Sequence, residues 1–164
     1  MSLSPADRDR LTAQYEEGPR LLREAWARVP EEARQWRPGP GKWSAHEVIV
    51  HCADSETNAA GRIRYLLAEK DPTILGYDQD RWAELFDYHA LPVEPAFQAI
   101  EAVRANTLPL IRRITEAQFS IMGRHTESGP YGVADWLRSY GEHLHVHVRQ
   151  IGRNLEAWGV GGRR

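Results

Sequence analysis

Trp136, Tyr140, His143, His147, Ile151, Asn154 and Trp158 follow one another at spacings close to one or two helical turns. That series constrains the fold more than any other feature of the chain. Residues three and four apart share one face of an α-helix, so the series draws a stripe along a helix from about Gly132 to Trp158. A stripe this apolar faces a core, and it carries two imidazoles in with it. Within it, EHLHVHVRQI also alternates with period two, which in a strand would put His143, His145 and His147 on one face. Length decides for the helix. The helical pattern continues for about three turns on either side, and the lone Gly141 costs a helix only about 1 kcal/mol. His143 and His147 then meet one turn apart, while His145 points roughly the opposite way.

Three further long stretches read as helices. The first spans about Pro5 to Val29, with Ser4 as N-cap, Leu11, Tyr15, Leu22, Trp26 and Val29 inward, and a kink expected at Pro19. The second has the clearest start: Ser44 caps, Glu47 completes a capping box, and Trp43 with Val48 makes a hydrophobic staple. It runs to about Leu67–Lys70, where Asp71-Pro72 stops it. The third spans about Val93 to Ile114, with Phe97, Ile100, Val103, Leu108 and Ile111 inward and a second kink at Pro109. A short helix is expected at about Gln79 to Tyr88, and one helical turn between Pro30 and Trp43. No run reads convincingly as a strand. The expectation is one all-α domain over residues 1–164, a four-helix bundle whose two long connections suggest a path that is not simple up-and-down.

Charge and composition exclude several functions. A formal net charge of -2 gives no general attraction to nucleic acid or anionic lipid. The arginines between Arg20 and Arg37 interleave with glutamates and read as a solvated helix face. No apolar stretch reaches the roughly 18 residues of a membrane span. MSLSPADRDRL lacks the apolar core of a secretory signal, and the single cysteine, Cys52, permits no internal disulfide, so a cytoplasmic location is expected.

Two buried imidazoles one turn apart are costly unless their nitrogens are paired, and a shared cation pairs both. Two unrelated core histidines with ordinary hydrogen bonds are the alternative on spacing alone. A metal needs a third ligand, and His51, about two turns into the second helix, is the candidate. HEVIVH is not the zinc-protease motif HExxH, because a spacing of five turns His51 off the face of His46. His46 then reads as an exposed first-turn residue, His89 and His125 as surface residues of connections, and Cys52 as a small core residue.

GKWSAHEVIVHCADSE and HLHVHVRQI together resemble the DinB-like superfamily of metal-binding four-helix bundles. The resemblance covers nearly the whole chain in order and spacing. It implies an up-down-down-up bundle with metal ligands at His51, His143 and His147, and leaves His145 outside the motif. It also implies chemistry. Members include transferases that use a low-molecular-weight thiol (mycothiol, bacillithiol or glutathione) and proteins described as metal-dependent hydrolases of bacteria.

Three imidazoles leave a coordination position open, the form of a catalytic site. Zinc or nickel is the expected ion. Asp54 and Glu142 are the nearest carboxylates in sequence, and neither is a clear general base, which favours thiol transfer to a small electrophile over hydrolysis. A non-catalytic metal- or ligand-binding bundle is the third reading. Arg124, Arg149 and Tyr88 are candidates to line a pocket, the substrate is a small molecule, and a homodimer is the default assembly.

Overall fold

The computed structural model describes residues 3–162. Its helices are α1 (Pro5–Ala27), α2 (Ala45–Ala68), α3 (Gln79–Leu85), α4 (Val93–Ile111) and α5 (Val133–Ala157). The four long ones make the bundle, and α3 is the short helix expected between the second and third of them. Local chemistry sets their starts. Ser4 Oγ accepts from the Asp7 N–H ahead of Pro5. Ser44 Oγ accepts from the Glu47 N–H at 3.2 Å while the Ser44 N–H donates to Glu47 Oε2 at 2.8 Å, closing the capping box. α1 and α4 run on through Pro19 and Pro109. The turn expected after α1 is a short 3-10 segment at Glu31–Ala33.

Contacts between helices give their directions. Arg10 reaches Glu142, and further along His145 Nε2 donates to Gln14 O, so α1 and α5 run parallel. His46 meets Leu91 O and Arg64 meets Asn106, so α2 and α4 are parallel as well. Trp136 Nε1 donates to Ala59 O and Asn154 to Trp43 O, which makes α2 antiparallel to α5. Arg23 pairs with Glu94 and Arg112 with Glu16, so α1 opposes α4. The path is up-down-down-up. Because α2 and α4 point the same way, the chain must travel back along the bundle between them, and residues 69–92 do so. α1 and α5 approach closely at Gly141, where an added Cβ would lie 3.0 Å from Leu11 O.

Beside a small cluster of Val50, Ala83 and Tyr88, the core has two large apolar clusters with a polar layer between them. One gathers Leu11, Tyr15, Ile63, Leu66 and Trp136; the other gathers Leu22, Val48, Ile49, Cys52, Phe97, Leu144 and Ile151. Between Cys52 and Ala59 on α2 lies the fully buried Glu56, and between Ile100 and Ile111 on α4 lies the buried Arg104. This corrects the expected face of α4. Val103 and Leu108 are only half-buried, while Arg104 and Thr107 are buried. An arginine enters a core only with a partner, and its partner stands on another helix where no local pattern reveals it.

Three short strands correct the all-helical expectation for the connections. β1 (Thr73–Ile74) pairs parallel with β2 (Met122–His125), and β2 pairs antiparallel with β3 (Gly129–Gly132). The hairpin closes through Gly129, whose φ of 77° suits glycine. Strands of two to four residues are too short to show an alternating pattern. They tie the connection after α2 to the one after α4, beside the end of the bundle that opens into the site.

Candidate metal centre

The capping box fixes where α2 begins, and hence where His51 projects. Trp43, just before the cap, lays its ring 4.6 Å from the His51 ring. From the facing helix α5, His143 and His147 come forward one turn apart. The His51 ring centroid is 5.6 Å from that of His143 and 4.9 Å from that of His147, and the latter two are 4.7 Å apart. One nitrogen from each ring lies within 4.8 Å of the other two. His51 and His147 are buried and His143 is half-buried.

The outer partners decide which nitrogens are free. His143 Nδ1 is 2.9 Å from Glu56 Oε1. Glu56 also accepts from Arg104 Nε at 2.9 Å and Nη2 at 2.7 Å. Burial raises the Glu56 carboxyl's pKa, but Arg104's charge and the hydrogen bonds from His143 and Arg104 outweigh it and leave the pKa below its usual value. Glu56 is therefore a carboxylate that only accepts, so His143 Nδ1 carries a proton and, in the neutral ring that binds metal, Nε2 holds a lone pair. His147 Nδ1 likewise donates to Gln150 Oε1 at 2.9 Å. The two Nε2 atoms then face each other at 3.2 Å, lone pair to lone pair. His51 Nδ1 is buried without a hydrogen-bond partner among the described residues.

Neither His51 nor His147 takes up a proton near neutral pH. Burial, then the other two histidines, pushes His51 down to about 2. Burial, then His143, pushes His147 down to about 4. A cation shared by the facing Nε2 atoms resolves their conflict. Ligand nitrogens at about 2.0–2.1 Å from a tetrahedral ion stand roughly 3.3 Å apart, close to the observed 3.2 Å between Nε2 atoms. The donor set fits one divalent metal held by His51, His143 and His147, with Glu56 and Gln150 orienting two of the rings.

A cavity of about 430 Å³ reaches this cluster, with His51 and His143 in its lining. Its other walls include Ser55 and Arg62 from α2, Tyr77 from the connection, His125 from β2, and Tyr140 from α5. His125 was expected at the surface. It is buried, because the sheet folds β2 onto the bundle end, and its Nδ1 accepts from the N–H groups of Glu127 and Ser128. His89 and His46 are half-buried, not exposed: His89 Nε2 bonds Ser44 Oγ and His46 Nε2 donates to Leu91 O.

The other candidates sort clearly. Asp54 accepts from Tyr88 Oη at 2.5 Å and neither orients a ligand nor faces solvent freely; Glu56 does the orienting. Glu142 pairs with Arg10 on the flank. Tyr88 is buried, Arg124 and Arg149 are exposed, and none of the three lines the cavity. Cys52 is fully buried in the second cluster, with its thiol pushed up by burial. His145 turns to α1, as its helical position requires. Glu56 and Arg62 had no local signal beyond being polar residues on an otherwise core-facing helix.

The sequence pattern of the DinB superfamily matches residues 14–151. The chain belongs to the DinB superfamily. It is 32% identical over 138 residues to an Oceanobacillus iheyensis protein named "Putative metal-dependent hydrolase", covering 84% of this chain and 80% of the relative. It is 26% identical over 151 residues to YfiT of Bacillus subtilis, which bears the same name, covering 92% and 85% of the two. The solved structure of YfiT, described as "a probable metal-dependent hydrolase with an unusual four-helix bundle topology", superposes with a TM-score of 0.89 at 25% identity, over 96% of this chain and 91% of that one. In this DinB-superfamily chain α1 pairs parallel with α5 and α2 parallel with α4. Among the described residues no helix is long and apolar enough to cross a membrane.

Proposed function

We propose that this DinB-superfamily chain is a metal-dependent enzyme, with zinc or nickel at His51, His143 and His147, that transfers a low-molecular-weight thiol to a small electrophile. The observation that carries it is the convergence of three imidazole nitrogens on one point beside a cavity. An ion held there supplies Lewis acidity, which lowers the pKa of a thiol or water at its open position. The chain's own residues do the rest. Glu56 and Gln150 hold the His143 and His147 rings with Nε2 turned inward. Trp43 covers one side of His51 and keeps water from it. The cavity volume suits a small molecule.

The choice of thiol transfer rests on the carboxylates. Near the cluster, both Glu56 oxygens are occupied and Asp54 is bound to Tyr88. A thiolate needs no general base once its proton has gone to solvent. Its sulfur lone pair forms the carbon–sulfur bond, and a halide leaves with its bonding pair. Hydrolysis is the second reading, favoured by the names of the relatives. Asp78 and Glu127, which line the cavity from its exposed loops, are then the candidate bases.

One experiment separates the two. Metal-loaded protein is incubated with mycothiol, bacillithiol or glutathione and 1-chloro-2,4-dinitrobenzene, and the thioether product is followed by mass spectrometry. Product that disappears on chelation is the expected result. Thiol-free hydrolysis of ester substrates, with no adduct from any of the three thiols, rejects transfer and leaves the hydrolase.

A further inference from the structure

The cavity beside the metal centre has a donor-rich wall that the histidine cluster does not use. Arg62 on α2 is half-buried there, donating through Nη1 to Tyr140 Oη at 2.8 Å and through Nη2 to the carbonyl of Leu75 at 2.5 Å. Both partners are neutral. No carboxylate lies within ion-pair distance of its guanidinium among the described residues, although Arg8, Arg23, Arg37, Arg104 and Arg112 each have one. A cation drawn out of water without a counter-ion is costly, and a bound anion offsets that cost.

Its neighbours also donate. His125 Nδ1 accepts two backbone N–H groups, so the neutral ring carries its proton on Nε2. Burial, then Arg62's charge, lowers the pKa of His125 and keeps the ring neutral. Burial raises the pKa of Tyr140 and pushes that of Tyr77 to about 12, so both hydroxyls stay protonated. Tyr140 links this wall to the metal centre: its hydroxyl meets Arg62, and its ring lies 5.7 Å from the ring of His143. Two carboxylates also line the cavity without pairing with Arg62, and the charge of Glu127 acts on His125 against that of Arg62. Asp78 is exposed and accepts from the Arg81 N–H at the start of α3, and Glu127 is exposed in the hairpin turn over Gly76.

We propose that Arg62 and His125 form a carboxylate-binding subsite that anchors one end of a ligand while its other end reaches the three-histidine centre. Resting on the proposed enzymatic reading, this makes the substrate class a small carboxylic acid. The planar guanidinium fork matches a carboxylate with two parallel hydrogen bonds. The carboxylate belongs either to the thiol or to the electrophile, and the same chemistry holds both.

The test is equilibrium binding, measured by calorimetry on the metal-loaded protein. Succinate is compared with its neutral analogue succinamide on the wild type, and succinate is then measured on Arg62→Met. The expected result is saturable succinate binding at least tenfold tighter than succinamide, and at least tenfold weaker in Arg62→Met. Equal binding of the two probes, no saturable binding of succinate, or unchanged binding in a folded Arg62→Met overturns the subsite. The probe comparison uses wild-type protein, so it decides even where the variant does not fold. Competition then assigns the source. Displacement of succinate by mercaptosuccinate points to the thiol, displacement by 4-chloro-3-nitrobenzoate to the electrophile, and displacement by neither overturns the proposal. Metal content is read separately. Protein that binds succinate through Arg62 but turns over neither thiol nor ester refutes the enzymatic reading and leaves the subsite standing.

Discussion

Replacing Glu56 with glutamine tests whether the polar layer serves the metal centre or only the core. The carboxylate is fully buried, and it accepts from Arg104 Nε at 2.9 Å, Arg104 Nη2 at 2.7 Å and His143 Nδ1 at 2.9 Å. Glutamine keeps the shape but loses the charge. Its amide oxygen can accept from one side, and its NH₂ then confronts an N–H of either Arg104 or His143. Arg104, also bonded to the carbonyls of Tyr15 and Tyr140, cannot leave. Breaking a buried pair in this way costs about 3–5 kcal/mol. For a domain of this size, that lowers the melting temperature by about 10 °C. Metal affinity falls separately, by about 10–100-fold, because His143 loses the acceptor that fixes its tautomer. Thermal melts of metal-free protein and chelator competition read the two effects. The double variant Glu56→Gln/Arg104→Met removes the stranded charge and frees the amide oxygen to accept from His143 Nδ1, so it recovers part of the melting temperature and part of the affinity. Wild-type metal affinity in Glu56→Gln, or affinity in the folded double variant no higher than in Glu56→Gln, refutes the orienting role.

Three further outcomes follow from the same geometry. His51→Ala, His143→Ala and His147→Ala each lose bound metal after equal purification, whereas His145→Ala, which faces α1, keeps it; retention in any of the first three breaks the assignment. Gly141→Ala destabilises by about 1–3 kcal/mol despite alanine's higher helix propensity, because its Cβ would meet Leu11 O at 3.0 Å; a denaturant midpoint equal to wild type shows that α1 and α5 separate freely. The metal-stripped protein loses stability as pH falls from about 6.5 towards 4. His147 at about 4 and His51 at about 2 stay neutral in the fold, below the ordinary histidine value of 6.5, while the unfolded chain takes up their protons first. Stability therefore rises with pH across that window, with His147 alone contributing roughly 3 kcal/mol. Flat urea midpoints from pH 4 to 7 contradict the buried placement.

Much of the fold was legible in the residues because it is written locally. The capping box at Ser44 and Glu47, the proline after Ser4 and the three-and-four spacing of α5 depend on neighbours within a few positions, and each marks an element boundary or face. The same spacing put His143 and His147 together and His145 apart, and the clear start of α2 fixed which face His51 shares with the core. The three histidines of the candidate centre were thus available from the sequence, and the family resemblance supplied the up-down-down-up path.

What only the tertiary structure decided lies in pairings that no period encodes. Glu56 and Arg104 stand on different helices and look like surface residues, until the parallel packing of α2 on α4 buries one against the other. The strands are too short to show a pattern, yet their pairing carries His125 from a loop into the cavity wall. Arg62 becomes a candidate anion ligand only because Tyr140 and Leu75 hold it there without a carboxylate. Local spacing determines which way a side chain faces. Which charge it meets is set by packing between segments far apart in the chain, and the chemistry of this site depends on both.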